Sequence, residues 1–272
     1  MKKKRFSFST LYLVLVMLIT YLPIVIVVVF SFNEAKLPVA WTGFSLRWYE
    51  KLVRDTALIE ALRNSLILGF VSSLFAAVIG TLGAIGMARV HYRTKGMMEY
   101  LSTIPIMLPE IILGMVFMAF FSLLHLPFGW MTLIIAHTSF CIPYVFLMVK
   151  ARLVGIDKSI EEAARDLGAS PVRTFFDITL PLILPAVLSG CILSFAMSFD
   201  DVVISIFVNS PTVSTLPVKV YTQLRTGVTP EINALCTIIL IAVILIQLVS
   251  LTLRKRNEPD DDHNNTLIGD AR

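Results

Sequence analysis

Three carboxylates stand inside long apolar stretches of the sequence: Glu110, Asp200 and Asp201. A charged side chain within the hydrocarbon of a bilayer is costly, and it usually faces a water-filled path or another charge. Carboxylates attract cations, and the rings of Phe195 and Phe199, one helical turn apart beside the aspartates, can add cation–π attraction. These five residues predict a pathway for a positively charged solute, since buried acids would not suit a path for anions.

Each carboxylate also has a purely structural interpretation. Glu110 follows Pro105 and Pro109, which interrupt helices, so it can occupy the first turn of a half-helix, where the helix dipole favours a negative charge. Adjacent helical residues point about 100° apart, so at most one of Asp200 and Asp201 faces a given cavity squarely. We expect the other aspartate to bond a hydroxyl, an amide or a cation of a partner subunit.

Other reactive residue types form no recognisable site. Cys141, Cys191 and Cys236 lie in apolar stretches without metal-ligand spacing, so we interpret them as buried small hydrophobic residues. His125 and His137 lack HExxH or GxSxG surroundings, and we interpret them as interfacial or hydrogen-bonded core residues. The sequence therefore predicts neither an enzyme nor a metal site. It contains no Walker A loop, so any ATP hydrolysis belongs to another chain.

Composition describes a chain that lies mostly in lipid. Of 272 residues, 56% are hydrophobic and 15% are charged, and the mean hydropathy is +0.80. A hydrocarbon core about 30 Å thick requires about 20 apolar residues per helix, and lipid permits only helical interiors in such a chain. The fold class is therefore all-α, a polytopic membrane helix bundle with six transmembrane helices. The predicted spans are 10–32, 64–88, 100–124, 130–149, 182–208 and 232–253.

The loops between these spans differ in charge. One side carries basic clusters at 2–5, 89–95, 150–173 and 254–256, whereas the other side has seven Lys and Arg residues, five of them in loop 33–63. The positive-inside rule therefore places both termini in the cytoplasm. The formal charge of +4 follows from these clusters beside the spans and does not indicate nucleic-acid binding.

The domain organisation follows from the spans. Residues 1–9 form a basic cytoplasmic N-terminus, 10–254 a single transmembrane domain, and 255–272 a cytoplasmic tail that we expect to be disordered. Within loop 33–63, an apolar pattern predicts an amphipathic interfacial helix. Its apolar residues are Trp48, Tyr49, Leu52, Val53 and Leu58. In the second span, Gly80, Gly83 and Gly86 predict a close approach between two helices.

The cytoplasmic loop 150–181 predicts two short helices. Ser159 and Glu162 form an S-x-x-E capping box, and Gly168 offers a stop for the first helix. Ser170 can cap the second helix, with Pro171 at its first position. The apolar stripe of the first helix is formed by Ile160, Ala163, Ala164 and Leu167. Such a stripe suits docking into a groove of a cytosolic partner, and it equally suits a loop that rests on lipid headgroups.

The same loop resembles the EAA motif of bacterial ABC import permeases at every defining position. The matching residues are Glu162, Ala163, Ala164, Gly168, Ile178, Leu180 and Pro181. More of the chain is similar to the second permease subunit of spermidine/putrescine importers. The segments that carry this similarity are 31–33 (SFN), 47–49 (RWY), 166–169 (DLGA), 200–203 (DDVV) and 230–234 (PEINA).

The resemblance implies a type I ABC importer permease fold in a bacterial inner membrane. It implies that the EAA loop couples to a cytosolic ABC ATPase dimer, which uses ATP and magnesium, and that this chain holds no cofactor. It further implies a second, homologous permease subunit and an external polyamine-binding protein. Spermidine or putrescine is then the expected solute. The alternatives are an ABC permease for another small solute or cation, and a secondary transporter.

Overall fold

The computed structural model of the chain describes residues 8–36, 40–89, 95–226 and 230–257. Most of the predicted N-terminal segment 1–9 and of the predicted tail 255–272 lies outside these ranges. The described chain is helical, with isolated β-bridges joining Asn33 to Phe44 and Ser210 to Val213. The all-α prediction is therefore confirmed.

The elements in the described ranges comprise α-helices and one π-helical turn. In chain order they are α1 (Phe8–Phe30), α2 (Arg47–Arg54), α3 (Thr56–Arg89), α4 (Lys95–Met107), α5 (Glu110–Leu123), α6 (Trp130–Val154), α7 (Lys158–Asp166), α8 (Pro171–Thr174), the π-helical turn Phe175–Thr179, α9 (Leu180–Asp200), α10 (Val203–Val208), α11 (Leu216–Thr226) and α12 (Pro230–Asn257). By contacts the chain divides into two compact units, one made of Met1–Asp55 with Thr226–Arg272, and the other of Thr56–Arg225.

Five stretches of the described residues are long and apolar enough to cross a membrane. They are Thr10–Phe30, Thr56–Arg89, Trp130–Val154, Pro171–Asp200 and Pro230–Leu248. The predicted third span, 100–124, is instead a pair of helices, α4 and α5, bent by 105°. The bend falls at Pro109, which lacks an amide hydrogen and disfavours helical backbone in the residue before it, whereas Pro105 lies inside α4. The interruption that the two prolines predict is therefore present at Pro109 and absent at Pro105.

The predicted fifth span, 182–208, also differs from the structure. Its helix begins eleven residues earlier, at Pro171, runs through the π-helical turn and ends at Asp200. Residues 203–208 form the separate helix α10. The break follows from Asp201, whose carboxylate accepts hydrogen bonds from the amides of Ile204 at 3.1 Å and Ser205 at 2.8 Å. A side chain that satisfies the free amides of a new helix start stabilises the interruption.

The core of the larger unit lies where α3, α6 and α9 pack together. Its fully buried side chains include Leu68, Leu133, Val145 and Ile183. Gly80 on α3 allows the close approach that the sequence predicts, since a Cβ there would lie 2.9 Å from both the carbonyl oxygen of Ile142 and the Cβ of Val145. The other two predicted positions, 83 and 86, are not tight: the nearest atom to a Cβ at 83 is 3.8 Å away, and none lies within 4 Å at 86.

This packing predicts opposite effects for two chemically identical changes in α3. Gly80→Ala is expected to destabilise the protein by about 1–3 kcal/mol, because the added methyl group must push the backbone of α6 away. Gly86→Ala is the matched control and is expected to be neutral or stabilising by up to about 1 kcal/mol, from helix propensity alone. Thermal unfolding of both variants in the same detergent measures the difference. Equal midpoints would show that α3 and α6 are not in tight contact at Gly80.

In the smaller unit, α12 packs against α1 and α2. The predicted amphipathic helix of loop 33–63 is α2, and its residues Trp48 and Leu52 are buried, whereas Val53 is 72% exposed. The indole nitrogen of Trp48 donates a hydrogen bond to the carbonyl oxygen of Asn33 at 2.7 Å. The apolar side of α2 therefore packs within the protein, although the pattern predicted an interfacial helix on lipid. Leu58, which the pattern included, belongs to α3.

The three cysteines differ in their surroundings. Cys141 is buried, as predicted, and Cys191 is half-buried, but Cys236 on α12 is exposed. Cys236 lines a shallow apolar groove between α1 and α12 together with Ile24 and Val28, so its exposure lies on an apolar surface. The prediction that all three are buried is therefore wrong for Cys236.

Candidate functional site

The loop between α6 and α9 carries the EAA motif on α7. The helix is capped by Asp157, whose carboxylate accepts a hydrogen bond from the amide of Ser159 at 3.0 Å. That amide and the Ser159 hydroxyl hold the pKa of Asp157 below its usual value. The predicted capping box of Ser159 and Glu162 is therefore wrong. Asp is as good an N-cap as Ser, and here it comes two residues earlier.

Gly168 ends α7 in the manner that the sequence predicts. Its φ angle is +89°, which a residue with a side chain rarely adopts. The amide of Gly168 donates to the carbonyl of Arg165 at 2.9 Å, and the amide of Ala169 donates to the carbonyl of Ala164 at 3.0 Å. This pair of bonds is the Schellman motif, in which glycine at the first position after the helix reverses the chain. The following segment begins as predicted, with Ser170 accepting from the amide of Arg173 at 3.3 Å.

The left-handed conformation makes Gly168 the more sensitive of two glycines in this loop. Gly168→Ala is expected to destabilise the loop by about 1 kcal/mol, because a Cβ is strained at this φ although no atom lies within 4 Å of it. Gly155→Ala is the control, since Gly155 caps α6 at φ −86°, which any residue adopts. Protease resistance of the loop in the purified complex measures the effect. Equal resistance of the two variants would contradict the role given to the turn.

The motif side of α7 faces outward. Glu162 and Ala163 are exposed, Ala164 is half-buried, and the apolar Ile160 and Leu167 are 44% and 90% exposed. The predicted apolar stripe is therefore present and uncovered in the single chain. An apolar surface with charged neighbours is typical of a protein–protein contact.

Glu161, the residue before Glu162 on α7, joins this helix to two membrane helices, and sequence reasoning missed it. One carboxylate oxygen of Glu161 lies 3.2 Å from the guanidinium of Arg89, the last residue of α3, and accepts a hydrogen bond from the Thr179 hydroxyl at 2.7 Å. The other lies 3.7 Å from Arg165. Partial burial opposes ionisation, but Thr179 and Arg89 outweigh it and hold the pKa of the Glu161 carboxyl below its usual value. Glu161 is therefore charged at neutral pH.

Thr179 belongs to the π-helical turn that leads into α9. Such turns are rare and often lie at functional sites. The turn is closed by the amide of Leu180, which donates to the carbonyl of Phe175. The remaining motif residues follow here, with Ile178 and Leu180 half-buried and Pro181 exposed. Together, Glu161, Thr179 and Arg89 form a junction between the motif helix, α3 and α9, which we call the coupling junction.

The predicted pathway carboxylates have different surroundings. Glu110 is exposed and is the first residue of α5, as the dipole interpretation predicts. Asp200 is exposed at the last residue of α9, and it makes no hydrogen bond or ion pair within the part of the chain that the structure describes. Asp201 is 8% exposed, and its carboxylate also accepts from the Ser205 hydroxyl at 2.8 Å. The structure thus gives Asp201 a structural role as the cap of α10.

A buried polar chain fixes the position of Asp201. His137 on α6 is fully buried; its Nδ1 lies 2.7 Å from the hydroxyl of Ser198, and its Nε2 lies 3.1 Å from that of Ser205 and 3.5 Å from Asp201. Ser198 in turn lies 3.0 Å from the hydroxyl of Ser72 on α3. The prediction of His137 as a hydrogen-bonded core residue is confirmed. No local pattern could reveal its partners, since they are 61 and 68 residues away.

The aromatic residues lie as the helix period predicts. Phe195 and Phe199 are half-buried and stacked, with ring centroids 5.9 Å apart.

A cavity of about 510 Å³ lies between the start of α5 and helices α10 and α11. Its lining includes Ile111, Val202 and Val203, which are close neighbours in sequence of Glu110 and Asp200. The structure therefore brings the sequence neighbours of these carboxylates to one cavity, although neither carboxylate itself lines it.

The fold matches those of solved membrane transport proteins. A bacterial ABC transporter that imports the acidic polysaccharide alginate matches with a TM-score of 0.67 at 15% identity, over 92% of this chain and 95% of that chain. The MetNI methionine ABC transporter matches with a TM-score of 0.59 at 21% identity, over 74% of this chain and 96% of that chain. The chain thus has the fold of an ABC importer permease.

The family follows from the sequence. Residues 76–260 match the family described as binding-protein-dependent transport system inner membrane component, and this chain belongs to it. The putrescine transport system permease protein PotI of Escherichia coli K12 is 41% identical, over 88% of this chain and 87% of its own length. The spermidine/putrescine transport system permease protein PotC of Haemophilus influenzae is 40% identical, over 93% of this chain and 99% of its own length. The predicted family, fold and multi-pass location in the bacterial inner membrane are confirmed.

Proposed function

We propose that this chain forms half of the transmembrane pathway of an ATP-driven importer of the polyamines putrescine and spermidine. The observation that carries the proposal is the identity of about 40% over nine-tenths of the chain with permeases named for these two solutes. Structural neighbours named for alginate, methionine and amino acids share the fold at 15–21% identity, so the fold alone does not favour a polyamine.

The chemistry of the solute agrees with the exposed carboxylates. Putrescine and spermidine are chains of methylene groups that separate ammonium groups, so a pathway for them needs separated carboxylates and apolar or aromatic surface between them. Glu110 begins α5 and Asp200 ends α9, and both are exposed. Phe195 and Phe199 supply aromatic surface on the same helix as Asp200. We assign these four residues to the pathway and Asp201 to positioning.

The EAA surface supports a role in coupling to an ATPase. The exposed stripe of α7 is the surface that we assign to a cytosolic ABC ATPase, which hydrolyses ATP with magnesium. Two permeases, this chain and a second homologous one, would each dock one subunit of the ATPase dimer, and an external binding protein would deliver the solute. Movement of the docked α7 would pass through the coupling junction to α3 and α9.

The test is uptake of radiolabelled putrescine and spermidine into vesicles that contain the chain with its ATPase, its second permease and the binding protein. Wild-type complex is expected to accumulate both solutes only with ATP, and Glu162→Arg is expected to abolish uptake because it reverses the charge on the docking surface. Co-purification of the ATPase with each variant checks assembly. A fully assembled wild-type complex that imports neither solute would contradict the polyamine assignment. Full uptake with Glu162→Arg would contradict the docking assignment.

A further inference from the structure

The smaller unit contains a buried carboxylate that the proposed pathway does not use. Glu231 lies in the first turn of α12, and its side chain is only 5% exposed. One of its oxygens lies 2.6 Å from the ammonium nitrogen of Lys51 on α2. The other oxygen is buried and has no hydrogen-bond partner among the residues that the structure describes. A buried carboxylate oxygen without a donor is unfavourable, so this carboxylate has capacity for a further donor.

The cation that neutralises Glu231 comes from a solvent-exposed side chain. The side chain of Lys51 is 59% exposed, and its ammonium nitrogen lies 5.7 Å from the centre of the Trp48 ring. Trp48 itself is buried and is held by its hydrogen bond to the carbonyl of Asn33. The guanidinium carbon of Arg47 also lies over the Trp48 ring, 4.6 Å from its centre. The carboxylate of Glu231 and the ring of Trp48 are therefore buried, whereas the cation paired with Glu231 belongs to a long side chain that reaches in from the surface.

We propose that Glu231 and Trp48 form a binding site for a primary alkylammonium group, which Lys51 occupies in this structure and which one end of a polyamine can occupy in its place. The side chain of lysine ends in an aminobutyl group, and putrescine and one end of spermidine carry the same group. An exchange of one ammonium for the other keeps the charge of Glu231 neutralised. Both ammonium groups have three donors, but a free amine is not tethered to α2, so it can also approach the carboxylate oxygen that Lys51 leaves unpaired.

This inference rests on the proposed function for the identity of the solute, and on geometry for the site itself. Lys51 and the start of α12 are on the side of the membrane that the loop charges predict to be external. An importer takes up its solute from that side. Lys51 would then act as a tethered competitor, which leaves Glu231 only when an external amine of the same shape replaces it.

The experiment removes the tethered ammonium and restores it from solution. Lys51→Ala leaves Glu231 as an uncompensated buried charge, which is strongly destabilising, so the midpoint of thermal unfolding of the purified complex is expected to fall. Addition of n-butylammonium chloride or 1,4-diaminobutane is expected to raise that midpoint again, by binding to the folded state alone. Sodium chloride at the same ionic strength is the salt control. Lys36→Ala, at an exposed lysine of the same loop, is the variant control.

The double variant Lys51→Ala with Glu231→Gln decides the result. It has no buried charge to neutralise, so the amines are expected to leave its midpoint unchanged. An equal rise in the single and the double variant, or no rise in either, would overturn the proposed site. Because the readout needs neither ATP nor the binding protein, it is independent of uptake. A complex that binds n-butylammonium here but imports no polyamine would contradict the proposed function and not this site.

A second readout applies if Lys51→Ala does not yield a folded complex. Glu231→Gln removes the buried charge and is expected to weaken equilibrium binding of radiolabelled putrescine to the permease complex by about tenfold, the size of one charge-assisted hydrogen bond. Glu50→Gln, at an exposed carboxylate on α2, is the matched control and is expected to bind as wild type does. Identical binding by the two variants would overturn the site.

Discussion

Glu161→Arg is expected to lower ATP-dependent uptake by about tenfold while the complex assembles and the ATPase stays bound. The substitution places a third guanidinium against Arg89 and Arg165, and it removes the acceptor of the Thr179 hydroxyl. The coupling junction would then open, and movement of α7 would no longer reach α3 and α9. Uptake and ATP hydrolysis measured in the same proteoliposomes test this, since hydrolysis is expected to continue without transport.

Three further variants make this prediction specific. The double exchange of Arg89→Glu with Glu161→Arg restores opposite charges and is expected to recover part of the uptake. Asp177→Arg reverses an exposed carboxylate of the same loop, which pairs with the exposed Arg173, and is expected to transport normally. Glu162→Arg is expected to lose the ATPase during purification, whereas Glu161→Arg is expected to retain it. If the double exchange were as inactive as the single one, the pairing of Glu161 with Arg89 would not carry the coupling.

The pH dependence of the junction follows from the charge of Glu161. The pKa of Glu161 is lower in the folded protein than in the unfolded chain. The charged carboxylate therefore stabilises the folded protein fully at pH values above its pKa in the unfolded chain, and this contribution is lost as the pH falls through the lowered pKa. Coupling is therefore expected to be unchanged across the neutral range. Uptake by wild type and Glu161→Gln, compared from neutral to acidic pH, measures this. A loss near neutral pH in wild type would point to a different titrating group.

The sequence could predict the membrane helices because their signal is local. Each span requires a long run of apolar residues, and the run can be counted without knowing what the helix packs against. The structure departs from continuous spans at two places where the backbone breaks within an apolar run, and the sequence predicted only the first of them. Pro109 signals one break, but no local rule gives its angle of 105°. The other break, after Asp200, depends on whether Asp201 stays in the helix or turns to cap the next one, and both choices suit the same sequence.

Prediction from the sequence meets a similar limit in the loop 150–181. The exposed half of α7 follows from helical periodicity and from the resemblance to the EAA motif, so Glu162, Ala163 and Gly168 could be named in advance. Glu161 could not, because its partners Arg89 and Thr179 are 72 and 18 residues away in the chain. The partner of Glu161 that is near in sequence, Arg165 four residues later, is its most distant contact at 3.7 Å. Residues that join elements are visible only once the elements have been placed.

Asp200→Asn and Asp201→Asn are expected to affect different properties, although the two residues are adjacent. Asp200 is exposed at the carboxyl end of α9, where the helix dipole disfavours a negative charge by about 0.3–1 kcal/mol, so its neutralisation is expected to leave stability unchanged or slightly raised. The same change removes one carboxylate from a cationic solute, and uptake of putrescine is expected to fall about tenfold, the size of one charge-assisted hydrogen bond. A residue that lowers stability and raises activity is typical of a functional site.

Asp201→Asn is expected to destabilise the complex by about 1–3 kcal/mol, because the amide cannot accept from both Ile204 and Ser205 as the carboxylate does. Any loss of uptake should then follow the loss of folded protein. The two variants are separated by measuring thermal unfolding and uptake per assembled complex on the same preparations. If Asp200→Asn took up putrescine at the wild-type rate, Asp200 would not belong to the pathway. If Asp201→Asn kept full stability but lost uptake per complex, Asp201 would contact the solute, and the assignment of the two aspartates would have to be reversed.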